Sequence, residues 1–293
     1  MASHEPVLVS EVVSFLRPRL NGVYVDGTVG LGGHASALLE AGAGRLIGID
    51  RDEAALALAA PVLAGAGTRV DLVHADYRDL PRVLVDRGLE RVAGIVVDLG
   101  VSSLQLDDAT RGFSFRLSGP LDMRMDRSSG HTAAEMIASA EEATLADVIW
   151  RFGEERHARR IARAIVRARA RQALTETGAL ASVVRAAAGG RGRQRIDPAT
   201  RTFQALRIWV NRELDGLERF LEEAVAALEP GARLAVIAFH SLEDRVVKHT
   251  FRRLAADGAV ALVTRKPVGP GDEEVQRNPR ARSARLRVVE KTA

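Results

Sequence analysis

Four aspartates, Asp26, Asp50, Asp76 and Asp98, recur at intervals of 22 to 26 residues, each at or just beyond the end of a short apolar run. The runs are VYV from Val23, LIGI from Leu46, VDLV from Val70 and IVV from Ile95. Carboxylates so placed can accept hydrogen bonds from ribose hydroxyls or amino groups, or balance a cation. To act together they must reach one edge of the fold, and the elements between them show how. A strand, a turn and a helix repeated at this interval predict parallel strands joined by crossover helices. Ligands of such sheets sit beyond the carboxyl ends of the strands, where these acids fall.

The first run leads into DGTVGLGGH, residues 26–34, followed by a helical stretch. Glycines at 30, 32 and 33 let the backbone turn tightly and approach a ligand with no Cβ in the way. A purely structural turn has the same composition, so the loop alone does not decide. Asp50 follows Asp26 by 24 residues, close to the ~20-residue offset at which an acid takes ribose hydroxyls. An Asp there can equally cap the helix that starts near Glu53. A dinucleotide pyrophosphate calls for G-x-G-x-x-G at a helix N-terminus. Here an acid opens the loop and His34 stands where the third glycine would be. An acid repels phosphate and suits a sulfonium with an ammonium group, which points to S-adenosylmethionine over NAD. At the third strand end, Asp76 offers a carboxylate to an adenine amino group and Tyr77 a ring face. The other reading of Tyr77 is a half-buried packing residue.

With 293 residues and 46% hydrophobic content, the chain can bury one large core or two smaller ones. No run approaches the roughly 20 apolar residues of a membrane span, and the start lacks a basic region followed by a hydrophobic segment. The absence of cysteine removes disulfides and thiolate metal sites, and the expectation is a soluble cytoplasmic protein. The histidines show no H-x-x-x-H or H-E-x-x-H spacing, so no metal is expected. The net charge of +4 hides an asymmetry: residues 151–212 carry +11 and residues 245–293 carry +7, leaving −14 for the rest. An acidic body with two basic regions suggests a cofactor half and a polyanion-binding surface. Between Arg156 and Arg171, the residues Ala158, Ile161, Ala162, Ile165 and Val166 form an apolar face at helical spacing. Arg156, Arg160, Arg163, Arg167 and Arg171 follow another face with no acid among them, so they repel one another unless a partner neutralises them. RNA contact and a solvated arginine face are the two readings.

The strand–helix alternation halts after residues 101–107. From about 109 to 206 there are loops, then helices near 141–152, 154–171 and 177–188, with no convincing strand. Residues 189–195 (GGRGRQR) read as flexible and basic. A helix over 203–228, a turn at Pro230-Gly231, a fifth strand at 233–239, a helix over 242–256 and a terminal hairpin from 259–263 and 286–289 complete the chain.

Several long runs, in order, carry a resemblance: residues 26–34, DLGVSSLQLD at 98–107, RGFSFR at 111–116, LDMRMD at 121–126, FHSLEDR at 239–245 and NPRARSARLR at 278–287. Together with HEPVL at 4–8 they closely resemble the ribosomal RNA small subunit methyltransferase H family, over nearly the whole chain. The resemblance implies a Rossmann-like class I S-adenosylmethionine-dependent methyltransferase fold (α/β) with an inserted helical domain, divided as residues 1–108, 109–206 and 207–293. It implies N4-methylation of a cytidine in the decoding region of 16S rRNA, in the small ribosomal subunit or its precursor, by a monomer or homodimer. Cofactor contacts map onto Gly32, Gly33, His34, Asp50, Tyr77, Asp98 and Gln105.

Cytosine N4 is a poor nucleophile because its lone pair is delocalised into the ring. A catalyst can hydrogen-bond the amino protons while the methyl donor is held in line. Amino-methyltransferases of this type use an Asp or Asn, two prolines and an aromatic after strand four. Here the position reads DLGV from Asp98, so the acid is kept and the prolines and ring are absent. Asp98 is the expected acceptor, with Phe113, Phe115 and Phe239 as rings that could stack on the base or belong to the core. His240 could move a proton, bind RNA phosphate or make a structural hydrogen bond. The arginines of RGFSFR and of NPRARSARLR, Arg280 and Arg282 among them, could pair with phosphate, on a base that has left its stack. Two rivals are a non-catalytic RNA-binding ribosome-assembly protein and an NAD-dependent oxidoreductase. The first is disfavoured by Gly32, Gly33, Asp50 and Asp98 together, the second by the His34 loop and the basic insertion.

Overall fold

A computed structural model describes residues 6–189 and 197–293, so the basic stretch 190–196 and the His4–Glu5 start of HEPVL lie outside the described residues. The chain divides into two compact units, one of residues 1–100 with 214–293 and one of residues 101–213.

In the first unit the elements are α1 (Val9–Leu16), β1 (Val23–Asp26), α2 (Gly33–Glu40), β2 (Arg45–Asp50), α3 (Glu53–Leu63), β3 (Val70–His74), α4 (Leu80–Val85) and β4 (Val92–Asp98). The second unit holds α5 (Ser103–Asp107), α6 (Ala133–Ser139), α7 (Glu142–Gly153), α8 (Ala158–Arg169), α9 (Thr177–Ala188) and α10 (Ala199–Asn211). The chain then returns to the first unit with α11 (Leu217–Ala226), β5 (Leu228–Ala238), α12 (Ser241–Ala256), β6 (Val260–Leu262), α13 (Asp272–Arg277) and β7 (Arg285–Lys291).

The first unit is a seven-stranded sheet in the order β3-β2-β1-β4-β5-β7-β6. The first five strands in that order run parallel and β7 is antiparallel to both its neighbours. The strands read as near-continuous branched apolar residues because both faces are covered. Val25, Ile47, Ile95 and Val97 fill one layer with Leu217, Phe220 and Val247, whereas Tyr24, Leu46, Val96 and Ile237 fill the other with Val12, Leu16 and Leu38. This is the Rossmann-like arrangement, and its strand order reverses between β1 and β4, the position at whose carboxyl edge such sheets bind ligands.

The second unit has its own core of Phe113, Leu121, Met123, Ile137, Ile149, Ile161, Ile165, Leu180 and Phe203, among others. No strand occurs among its described residues; Pro120 and Glu176 form an isolated bridge. Its limits differ from residues 109–206, because Val101 and Leu106 at one end and Trp209 and Val210 at the other pack on this core.

Three local expectations are corrected. The helix expected over 203–228 is two helices, because Arg212 (φ 49°) and Gly216 (φ 71°) are left-handed. The Pro230-Gly231 turn lies inside β5 as a bulge, where the register to β4 slips between Val92 and Gly94. The helix expected from residue 154 starts at Ala158, because Glu154 is left-handed at φ 48°. The terminal pair exists, but β7 lies between β5 and β6, and α13 precedes it. Among the described residues no helix is long and apolar enough to cross a membrane.

Candidate active site at the carboxyl edge of the sheet

The glycine loop is sewn to the sheet by its backbone. Gly27 N–H donates to Val96 O on β4 and Val29 N–H to Ile49 O on β2, both at 2.9 Å. Side chains at the strand ends complete the stitching. Gly30 N–H donates to Asp50 Oδ2 at 2.8 Å, and Asp50 Oδ1 accepts from Asp52 N–H at 2.9 Å. The Asp98 amide donates to the Thr28 hydroxyl at 2.7 Å, while Thr28 N–H donates to Asp26 Oδ1 at 3.1 Å. The ends of β1, β2 and β4 thus meet around one loop, which passes through left-handed Gly30 and Gly32 before α2 begins.

The electrostatics of this edge are set by burial. Asp26 is fully buried, and its Oδ2 has no hydrogen-bond partner among the described residues. Burial pushes its carboxyl up to about 7, with the negative Asp50 adding to the rise and the Thr28 and Ala35 amides opposing it. The Asp98 Oδ1 is likewise buried and without a partner among the described residues. Burial raises that carboxyl well above its ordinary range, and the charges of Asp26 and Glu243 raise it further. Asp50 is also raised by burial, against the Asp52 and Gly30 amides. Clustered carboxylates with unfilled acceptor oxygens make an edge that favours a cationic, hydrogen-bond-donating ligand.

The loop glycines lie where the sequence placed them. A Cβ on Gly33 would stand 2.5 Å from Pro6 Cγ. His34 is buried, with Nε2 2.8 Å from Val7 O, so its ring joins the N-terminal segment and its main chain belongs to the first turn of α2. Tyr77 shows the packing arrangement: it is buried edge-on to Phe220, ring centroids 4.6 Å apart, and its Cβ borders Gly27. Asp76 differs from the adenine-acceptor reading. Both its oxygens bind Arg78, through Nε at 2.7 Å and Nη2 at 2.6 Å, with Arg51 at 3.6 Å, and these cations hold its carboxyl below the usual range against burial.

His240 caps α12, its Nδ1 accepting from Glu243 N–H at 3.4 Å, while its Nε2 is 3.2 Å from Glu243 Oε1. Glu243 is buried and accepts from the Phe239 amide at 3.0 Å. The His240 ring thus lies against Glu243 at the first turn of α12. Thr28 and Glu243 also stand at this edge and were not expected there from the sequence. The H-x-x-E spacing at 240–243, a capping-box pattern, was the available signal for Glu243; nothing marked Thr28.

In the second unit, Gln105 is buried in a capping box with Ser102, accepting from its amide at 3.1 Å. Phe113 belongs to the core, and Phe115 packs edge-on to Phe203 under the Arg185 guanidinium. Phe239, in the first unit, is half-buried against the core there. Arg111 is buried and donates to the Met125 and Arg124 carbonyls. Of the arginine stripe, Arg160, Arg163 and Arg167 lie on α8, while Arg156 and Arg171 flank it; all five are exposed. The apolar face of α8 is buried as expected at Ala158, Ile161, Ala162 and Ile165. Arg160 donates to Ala188 O and Arg163 pairs with Glu142 at 3.3 Å. Arg156, Arg167 and Arg171 have no such partner among the described residues. Arg280 and Arg282 are exposed on the turn between α13 and β7.

Comparison with known proteins adds the lineage. A protein from Sorangium cellulosum named "Ribosomal RNA small subunit methyltransferase H" is 52% identical over 98% of this chain and 90% of its own length. One of the same name from Nitrosococcus oceani is 50% identical over 99% and 98%. Among solved structures, a putative methyltransferase from Streptococcus mutans in complex with SAH aligns over 97% of each chain at 13% identity and a TM-score of 0.44. The model of the MraW methylase family matches residues 1–292, and the chain belongs to that family.

Proposed function

We propose that the chain transfers a methyl group from S-adenosylmethionine to the N4 amino group of a cytidine in the decoding region of 16S rRNA. One observation carries the donor assignment: the buried, unfilled carboxylate oxygens of Asp26 and Asp98 flank a glycine loop tied to Asp50. Such a set fits a ligand that brings a cation and amino or hydroxyl protons. In this reading Asp50 accepts ribose hydroxyls, Gly32 and Gly33 let the ligand approach the backbone, and Asp26 faces the cationic portion. Tyr77, His34 and Gln105 complete the set implied by the resemblance, His34 through its main chain. When bound, the donor supplies a methyl group on a sulfonium sulfur.

The chain's part in transfer falls to Asp98. Its free Oδ1 accepts a hydrogen bond from N4–H, which holds the amino group rotated out of conjugation and stabilises the positive charge that develops on nitrogen. His240 serves by positioning Glu243. The RNA is held by Arg156, Arg160, Arg163, Arg167 and Arg171 and by Arg280 and Arg282, with the small ribosomal subunit or its precursor as substrate. The names of the two relatives support the rRNA assignment. A methyl-transfer assay with labelled donor on naked 16S rRNA and on assembled subunits tests it. No incorporation into either, by a chain that binds the donor, would leave a binding protein on a methyltransferase fold.

A further inference from the structure

We propose that Pro6–Leu8 form a strap that fixes the tail of the glycine loop, with His34 and Glu274 as its positioning residues; the inference rests on that loop being the donor site. The loop's head is held by the sheet, through Gly27, Val29 and Gly30. Its tail, at Gly32–His34, is gripped from the other side by a segment remote in sequence. Pro6 presses on Gly33 so closely that a Cβ there would stand 2.5 Å from its ring. Val7 O meets His34 Nε2 at 2.8 Å inside the buried core. Leu8 is fully buried yet left-handed at φ 56°, a conformation that L-residues avoid unless contacts hold them there.

The far end of the strap is tied by Glu274 of α13, whose Oε1 accepts from the Leu8 amide at 2.8 Å. A loop with three glycines in four residues has much freedom to lose on binding a ligand. A strap that removes this freedom beforehand raises affinity without touching the ligand.

Glu274→Ala and Glu274→Gln are compared with wild type, Gln keeping an acceptor oxygen. Amide hydrogen exchange over residues 30–35 of the ligand-free protein should quicken in Glu274→Ala and return toward wild type in Glu274→Gln. S-adenosylhomocysteine affinity should fall by roughly three- to tenfold in Glu274→Ala, less than the tenfold or more that a full hydrogen bond to a charged group is worth, because this bond orders the loop and does not touch the ligand. Single-turnover methyl transfer at saturating donor should stay at the wild-type rate. Unchanged loop exchange and unchanged affinity in Glu274→Ala, with wild type binding the ligand, overturn the strap alone. A wild-type chain that binds no S-adenosylhomocysteine overturns the donor reading, and the strap's role in binding with it.

Discussion

Replacing Asp26 with Asn should make the ligand-free protein lose less stability as pH rises from about 5 to about 8. Burial raises the folded carboxyl from 3.8 to about 7, so between those values the folded chain keeps a proton that the unfolded chain has released. The stability tied to that proton is whole below about pH 4 and lost as pH rises through about 7. Linkage at 1.36 kcal/mol per unit gives a wild-type loss of about 2–3 kcal/mol between about pH 5 and about pH 8. Asn mimics the neutral carboxyl at every pH, so the stability difference between mutant and wild type should shift by that amount in the mutant's favour. The new amide nitrogen, at the place of the unfilled Oδ2, adds a penalty that is the same at both pH values and cancels. Urea unfolding should be followed by circular dichroism, because Trp150 and Trp209 both lie in the second unit and Asp26 in the first. A stability difference equal at the two pH values would refute the buried-carboxylate reasoning.

Asp50→Ala should weaken S-adenosylmethionine binding by about 1.5–3 kcal/mol per lost hydrogen bond to the carboxylate. Because Asp50 also accepts from Gly30 N–H, the loop should loosen as well; calorimetry on the folded mutant showing wild-type affinity would remove Asp50 from the site. Asp98→Asn keeps the shape and one acceptor oxygen but can no longer ionise when a cationic donor lowers this raised carboxyl, so the single-turnover rate should fall with donor and RNA both saturating; an unchanged rate would confine Asp98 to binding. Arg163→Gln with Arg167→Gln should reduce RNA affinity and flatten its salt dependence, because fewer counterions are released, while donor affinity stays constant. Normal RNA binding at every salt concentration would make the α8 stripe a solvated face.

Most of the sheet was legible because four of its five parallel strands carry a short apolar run with an acid at or just beyond the end, although Asp71 interrupts the third run and β5 ends on Ala238 without one. Helix limits were less so. Left-handed Glu154, Arg212 and Leu8 have side chains that sequence rules expect inside helices or extended segments, and only tertiary contacts hold them there. Asp26, Asp50 and Asp98 could be placed on one edge from spacing alone. Their protonation could not, since it depends on how completely each is enclosed. The engagement of Asp76 by Arg78 and Arg51 and of His34 by Val7 turns on side-chain direction, which spacing does not encode. His240 illustrates the reverse case, a residue with chemical potential whose ring is used to cap a helix and hold Glu243.

N4 transfer at the carboxyl edge of the sheet is read out by the identity of the modified nucleoside after incubating the wild-type protein, methyl-labelled S-adenosylmethionine and small ribosomal subunits lacking the modification. Digestion and mass spectrometry should find the label on cytidine N4, at one position in the decoding region. Label on a ring carbon, on a ribose oxygen or on another base would contradict the proposed role of Asp98 as acceptor for the cytidine amino group.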